Sequence, residues 1–305
     1  MSPEIPVSTG RAARAPASGA SGQSASPDTP PLHPQQLLLQ LEPMDLATAL
    51  NIQPGDLVAF VGAGGKTTTI WHLLRSFVAR KERVVFATTT HIFKPRRAPL
   101  LLNPYPDPAQ VALVLTRWSA VILAAELGEE GDPQMAAHAP YPATPRKLVG
   151  LKPEVVTDLA RRMPGVTWLV EADGAKGRAL KAPADHEPVI PSGARRVVVV
   201  GSLTALGRPL DDAIVHRADR AAALLRVPLG TPITPDMVAG LLGHASGGLK
   251  SVPPRAAVVA LLTQPEPAPR PEAPAIARQL LLGRRIRRVV LANPRAPDPV
   301  LEVWE

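Results

Sequence analysis

Val61-Gly62-Ala63-Gly64-Gly65-Lys66-Thr67-Thr68-Thr69 has the residue types and spacing of a loop that grips phosphate. Such a grip needs several backbone N–H groups turned toward one anion, and glycine permits both the turn and the close approach. A helix beginning directly behind the loop adds its partial positive end. On this reading Gly62, Ala63, Gly64, Gly65, Lys66, Thr67 and Thr68 bind a nucleotide. Lys66 reaches the β- and γ-phosphates, and the Thr67 hydroxyl ligates Mg²⁺.

A second chemical signal lies in Trp168-Leu169-Val170-Glu171-Ala172-Asp173, where an apolar run ends in two carboxylates. Strand alternation puts Glu171 and Asp173 on one side, so both are expected to hold Mg²⁺. Glu171 is also a candidate for activating a nucleophile, a role shared with His91, which follows Thr88, Thr89 and Thr90. Lys66, Glu171 and His91 are thus the expected catalytic residues. Lys176, Arg178 and Lys181 form a basic stretch after the acids. With His186, Lys147 and Arg217 they are candidate contacts to an anionic second substrate. Guanine-reading proteins carry N-K-x-D after a late strand; here Thr263-Gln264-Pro265-Glu266 stands instead, which favours ATP over GTP.

Seven apolar runs can position these groups as strands: 56–61, 83–88, 119–124, 167–172, 195–201, 255–263 and 287–293. Helical spacing over 68–81, 108–117, 153–162, 217–226, 234–243 and 272–284 alternates with them. Strands apolar on both faces, alternating with helices, predict an α/β fold with a mainly parallel sheet flanked by helices, of the P-loop nucleoside triphosphate hydrolase type. Its ligands are expected at the carboxyl ends of the strands. Residues 89–107, 125–147 and 173–194 read as long functional loops. Residues 1–34, rich in Ser, Ala, Pro and Gly, read as a disordered segment before an α/β domain over 35–305. That domain opens with an amphipathic helix over 35–50 carrying Leu37, Leu38, Leu41 and Leu46.

Composition narrows the alternatives. Aromatic residues are only 3%, which disfavours a stacking platform for single-stranded nucleic acid. The absence of cysteine excludes disulfides, thiolate catalysis and Cys-based metal sites. Net charge is +8 without a long basic run, so neither a specific nucleic-acid partner nor a membrane partner is expected. No apolar stretch is long enough for a membrane span, no secretory signal is seen, and a cytoplasmic location is expected.

The shorter loop pattern G-x-x-G-K-T, with Phe60 where the longer form has glycine, resembles that of Mur-type ligases and some related ATPases. The chain as a whole resembles the YqeC proteins, selenium-dependent hydroxylase accessory proteins, over roughly residues 45–295. The resemblance rests on VGAGGKTT (61–68), TTTHIF (88–93), KLVG (147–150), VEADGAKGRALKAPADHEPVIP (170–191), GRPL (207–210), His216-Arg217 and GGLK (247–250). It implies a P-loop fold and a part in maturing the cofactor of selenium-dependent molybdenum hydroxylases. Three functions stay open. One is an Mg²⁺-dependent NTPase or phosphoryl-transfer enzyme acting on an anionic cofactor precursor. The second is a non-catalytic nucleotide-switched chaperone for an apo molybdenum hydroxylase. The third is a Mur-like ligase or small-molecule kinase.

Overall fold

The computed structural model describes residues 44–266 and 270–305. The expected disorder of 1–34, and the part of the 35–50 helix before Met44, lie outside the described residues. In chain order the strands are β1 (Leu57–Gly62), β2 (Val84–Thr88), β3 (His91–Pro95), β4 (Leu100–Leu102), β5 (Ala120–Ala124), β6 (Glu126–Glu130), β7 (Ala143–Val149), β8 (Thr167–Glu171), β9 (Leu180–Lys181), β10 (Arg196–Ser202), β11 (Val215–His216), β12 (Ala257–Thr263), β13 (Arg288–Ala292) and β14 (Val300–Trp304). The helices are α1 (Leu46–Ala49), α2 (Lys66–Ala79), α3 (Pro108–Trp118), α4 (Pro133–Ala137), α5 (Pro153–Arg162), α6 (Ala218–Leu225), α7 (Pro235–Gly243) and α8 (Ala273–Leu282).

All seven apolar runs are strands, and with β4 and β14 at the edges they build one nine-stranded sheet in the order β14-β13-β12-β10-β1-β8-β2-β5-β4. Every neighbouring pair is parallel except the edge pair β13–β14. The α/β, mainly parallel architecture flanked by helices is therefore as expected. β1 occupies the middle, with β8 on one side and β10 on the other. Its side chains alternate between two cores. Leu57, Ala59 and Val61 pack with α3, α5, α7 and α8, whereas Val58 and Phe60 pack with α1 and α2. Burial on both faces explains why these strands read as continuous apolar runs.

The expectation of three long loops needs correction. Within 89–107 and 125–147, β3, β7 and β6 form a three-stranded antiparallel sheet, and β4 joins the edge of the main sheet. The sequence hides these strands because Pro95 and Pro145 interrupt them and Glu126, Glu129 and Glu130 are exposed. Register shifts at Phe93/Pro95 and Leu127/Glu130 further blur any alternation. Tyr141 fastens this small sheet to α2. Its ring lies 4.5 Å from Trp71, and its hydroxyl donates to the Phe93 carbonyl at 2.6 Å. Residues 173–194 are mostly irregular, apart from β9, which pairs with β11.

Candidate functional site

The loop after β1 is squeezed from two sides. Gly62 and Gly64 adopt φ of 93° and 76°, and a Cβ on either would strike backbone. At Gly62 it would meet the Val200 carbonyl; at Gly64 it would meet the Ala179 carbonyl and the Ser202 side chain. Only glycine fits such a position. Ala63 N–H donates to Val200 O at 3.0 Å, and the Thr263 hydroxyl donates to the Gly64 carbonyl. Gly65, at φ 136°, caps α2 without a side-chain bond, so α2 opens at Lys66 with its first N–H groups beside the loop.

The Lys66 ammonium, 4% exposed, donates to Gly62 O at 2.5 Å and lies 3.0 Å from Asp173 Oδ1. Asp173 Oδ2 accepts the Gly62 N–H at 3.1 Å and lies 3.3 Å from Lys181 Nζ. Lys181 donates to Gly174 O and lies 2.9 Å from Glu187 Oε2, which also takes Arg217 Nη1 at 2.7 Å. A line of alternating charge thus runs Lys66–Asp173–Lys181–Glu187–Arg217. Buried charges persist only when paired in this way.

The Thr67 hydroxyl donates to Glu171 Oε2 at 2.7 Å. Glu171 ends β8, immediately beside the loop. Burial raises its carboxyl above the usual range, and Lys66 and the Thr67 hydroxyl offset only part of that rise. A cavity of about 1050 Å³ opens here at the carboxyl ends of the strands. It is lined by Gly64, Gly65, Lys66, Thr67, Thr68, Glu171 and His91, and by Lys147, Lys176, Arg178 and Arg217. The structure thus gathers most of the residues singled out from sequence.

The others stand apart. Gly62, Ala63, Asp173 and Lys181 sit behind the cavity wall, and His186 is exposed away from it. Lys181 reads as a buried link between two carboxylates and has no surface to offer a substrate. Among the described residues, no helix is long and apolar enough to cross a membrane.

The YqeC protein family model matches residues 58–219, from β1 into α6. The chain belongs to the YqeC family. It is also 31% identical over 209 residues to "Uncharacterized protein YqeC" of Escherichia coli (strain K12), covering 65% of this chain and 71% of that protein. The YqeC match spans the loop, Glu171 and the whole charged line to Arg217. β12 and β13, which supply Thr263 and the far wall of the cavity, lie beyond it.

Sequence reasoning missed two contributors in this YqeC chain. Thr263 and Ser202 end β12 and β10, and a lone hydroxyl at a strand end carries no local signal. The Thr263 methyl packs against Gly65 while its hydroxyl holds Gly64. Thr263→Val keeps the methyl and loses the hydroxyl. We expect it to destabilise the protein by about 1 kcal/mol and loosen the loop, whereas Thr263→Ser should retain the bond. Urea melts of the two variants decide this; equal midpoints would remove the hydroxyl from the account.

The charged line also sets acid behaviour. Burial opposes ionisation of Glu187, but Lys181, the Ala184 N–H and Arg217 outweigh it and hold the carboxyl at about 2. Burial, aided by Arg217 and Lys181, pushes His216 down to about 4. Both folded values lie below the ordinary 4.5 and 6.5, so both groups add stability at neutral pH. That stability should fade as pH falls, first from 6.5 toward 4 through His216, then from 4.5 toward 2 through Glu187. Urea midpoints measured along this range test it, and His216→Asn should remove the upper phase alone.

Proposed function

We propose that this YqeC-family chain binds Mg²⁺–ATP on the Gly62–Thr68 loop and hydrolyses it or transfers its terminal phosphoryl group. The observation that carries this reading is the joining of a glycine loop, Lys66, and the Thr67–Glu171 hydroxyl–carboxylate pair at the end of the central strand. The donor set suits a hard cation. Among the described residues no cluster of three His, Cys, Asp or Glu forms a metal cage. Mg²⁺ is usually held by one or two carboxylates together with phosphate oxygens, which Thr67, Glu171 and a triphosphate provide. When bound, Mg²⁺ neutralises charge on the phosphate oxygens.

The chain's own groups divide the remaining work. The loop N–H groups from Gly64 onward and Lys66 would bind and orient the phosphates. Thr67 and Glu171 would hold the metal, and Asp173 acts from behind them by fixing Lys66 and the Gly62 N–H. His91, exposed at the cavity rim, positions the nucleophile. The lack of N-K-x-D after β12 supports adenine over guanine. Family membership supports a setting in the maturation of selenium-dependent molybdenum hydroxylases, with an anionic cofactor precursor or the apo-hydroxylase as partner.

Calorimetric titration of the full chain with Mg²⁺–ATP and Mg²⁺–GTP, followed by phosphate-release assays, tests the reading. ATP should bind more tightly than GTP, and Glu171→Gln should cut Mg²⁺-dependent turnover by about 10²-fold or more. No ATP binding at millimolar concentration would end it.

A further inference from the structure

The cavity, of about 1050 Å³, carries more cations than its phosphate loop supplies. Six cationic side chains line it against three carboxylates, so its occupants must bring negative charge. Lys66 belongs to the loop. Among the described residues, Lys147, Lys176 and Arg178 enter no ion pair. Arg217 has only its Nη1 engaged by Glu187, which leaves most of its five-donor fork available.

Two of these cations sit on costly backbone. Lys176 and Arg217 adopt left-handed φ of 47° and 62°, a conformation that non-glycine residues keep only where the surroundings impose it. Lys176 shares its turn with Gly177, at φ 72°, whose open side faces the Met135 methyl; a Cβ there would lie 3.5 Å from it. The basic turn therefore comes up against α4, which precedes the small antiparallel sheet's β7 in the chain. On that sheet Lys147 Nζ lies 5.7 Å above the Phe93 ring, and Gly131 leaves the space in which the pair packs. One compartment thus combines surplus cations with an apolar wall, at a distance in the chain from the phosphate loop.

We propose that this end of the cavity is a second-ligand site for an organic dianion with an apolar body, of the phosphate-ester class. Arg178, Arg217 and Lys176 hold its charge, and Phe93 and Met135 flank its body. The proposal deepens the Mg²⁺–ATP reading and rests on it for the reaction, but the site's existence is separately measurable.

Phenyl phosphate is the probe, titrated calorimetrically into the full chain with and without saturating Mg²⁺–ATP. It should bind in both cases. Arg178→Ala and Lys176→Ala, both changes at the accessible turn, should each weaken phenyl phosphate by about tenfold, the scale of one charge-assisted contact. That loss should exceed any loss for Mg²⁺–ATP, while Lys66→Ala should show the reverse preference. Complete competition between phenyl phosphate and Mg²⁺–ATP would mean that one ligand spans the cavity and would overturn the proposal. So would binding indifferent to both turn variants, or no binding at millimolar probe. Phenyl phosphate binding that depends on Arg178, in a protein that ignores ATP, would uphold this site and defeat the nucleotide reading instead.

Discussion

Replacing Lys66 with alanine is expected to weaken Mg²⁺–ATP binding by about 10- to 150-fold. A charge-assisted contact to phosphate contributes roughly 1.5–3 kcal/mol, and each 1.4 kcal/mol is about tenfold in affinity. The side chain leaves from the first residue of α2, and its ammonium already rests against Gly62 O, inside the curl of the loop. It therefore needs little rearrangement to meet an anion. The fold should survive, because Asp173 keeps Lys181 and the Gly62 N–H as partners. Calorimetry on the variant, with a urea melt alongside, separates lost binding from lost structure. A stable variant whose ATP affinity stays within about twofold of the parent would show that the loop does not grip the triphosphate.

Replacing Lys181 with methionine should act on stability. Two carboxylates, buried Asp173 and partly buried Glu187, both meet this ammonium, beside their other partners Lys66 and Arg217. Removing one partner of a buried charge cluster costs about 3–5 kcal/mol, since the remaining charges stay desolvated. For a chain of this size that corresponds to a drop in Tm of about 10 °C. Arg161→Ala is the contrasting control: its pair with Asp158 is solvent-exposed, and such pairs contribute little. Lys66 and Arg217 still pair with Asp173 and Glu187 in the Lys181→Met variant, so the loss should fall at the lower end of that range. If Lys181 were instead a substrate ligand, the single variant would melt like the parent and fail only in binding.

The two Lys variants also show what the sequence makes legible. The place of Lys66 in the cavity was legible because neighbours in the chain set it: three glycines, a threonine run and an apolar strand in front. The same holds for Glu171, which ends a strand buried on both faces. Lys181 was misread as a ligand. A basic residue in a Gly- and Pro-rich stretch looks exposed, and nothing nearby announces that the chain returns to bury it between Asp173 and Glu187. Thr263 was invisible for a related reason, since its partner Gly64 lies 199 residues away. The main sheet was legible through its apolar runs, which parallel pairing requires. β3, β6 and β7 were not, because a short strand with one wet face and an interrupting proline lacks a period to recognise.

The central place of β1 has a consequence for motion. Its backbone is bonded to β8 and β10, its side chains enter both cores, and four of its first five residues are almost wholly inaccessible to solvent. Amides so placed trade their protons for deuterium only when the whole molecule opens. The glycine loop proposed to hold the triphosphate is thus anchored in the slowest-exchanging part of the chain, while the turn at Lys176 and Gly177 lies out on the rim. A deuterium label should therefore map a rigid floor beneath a quick-breathing edge.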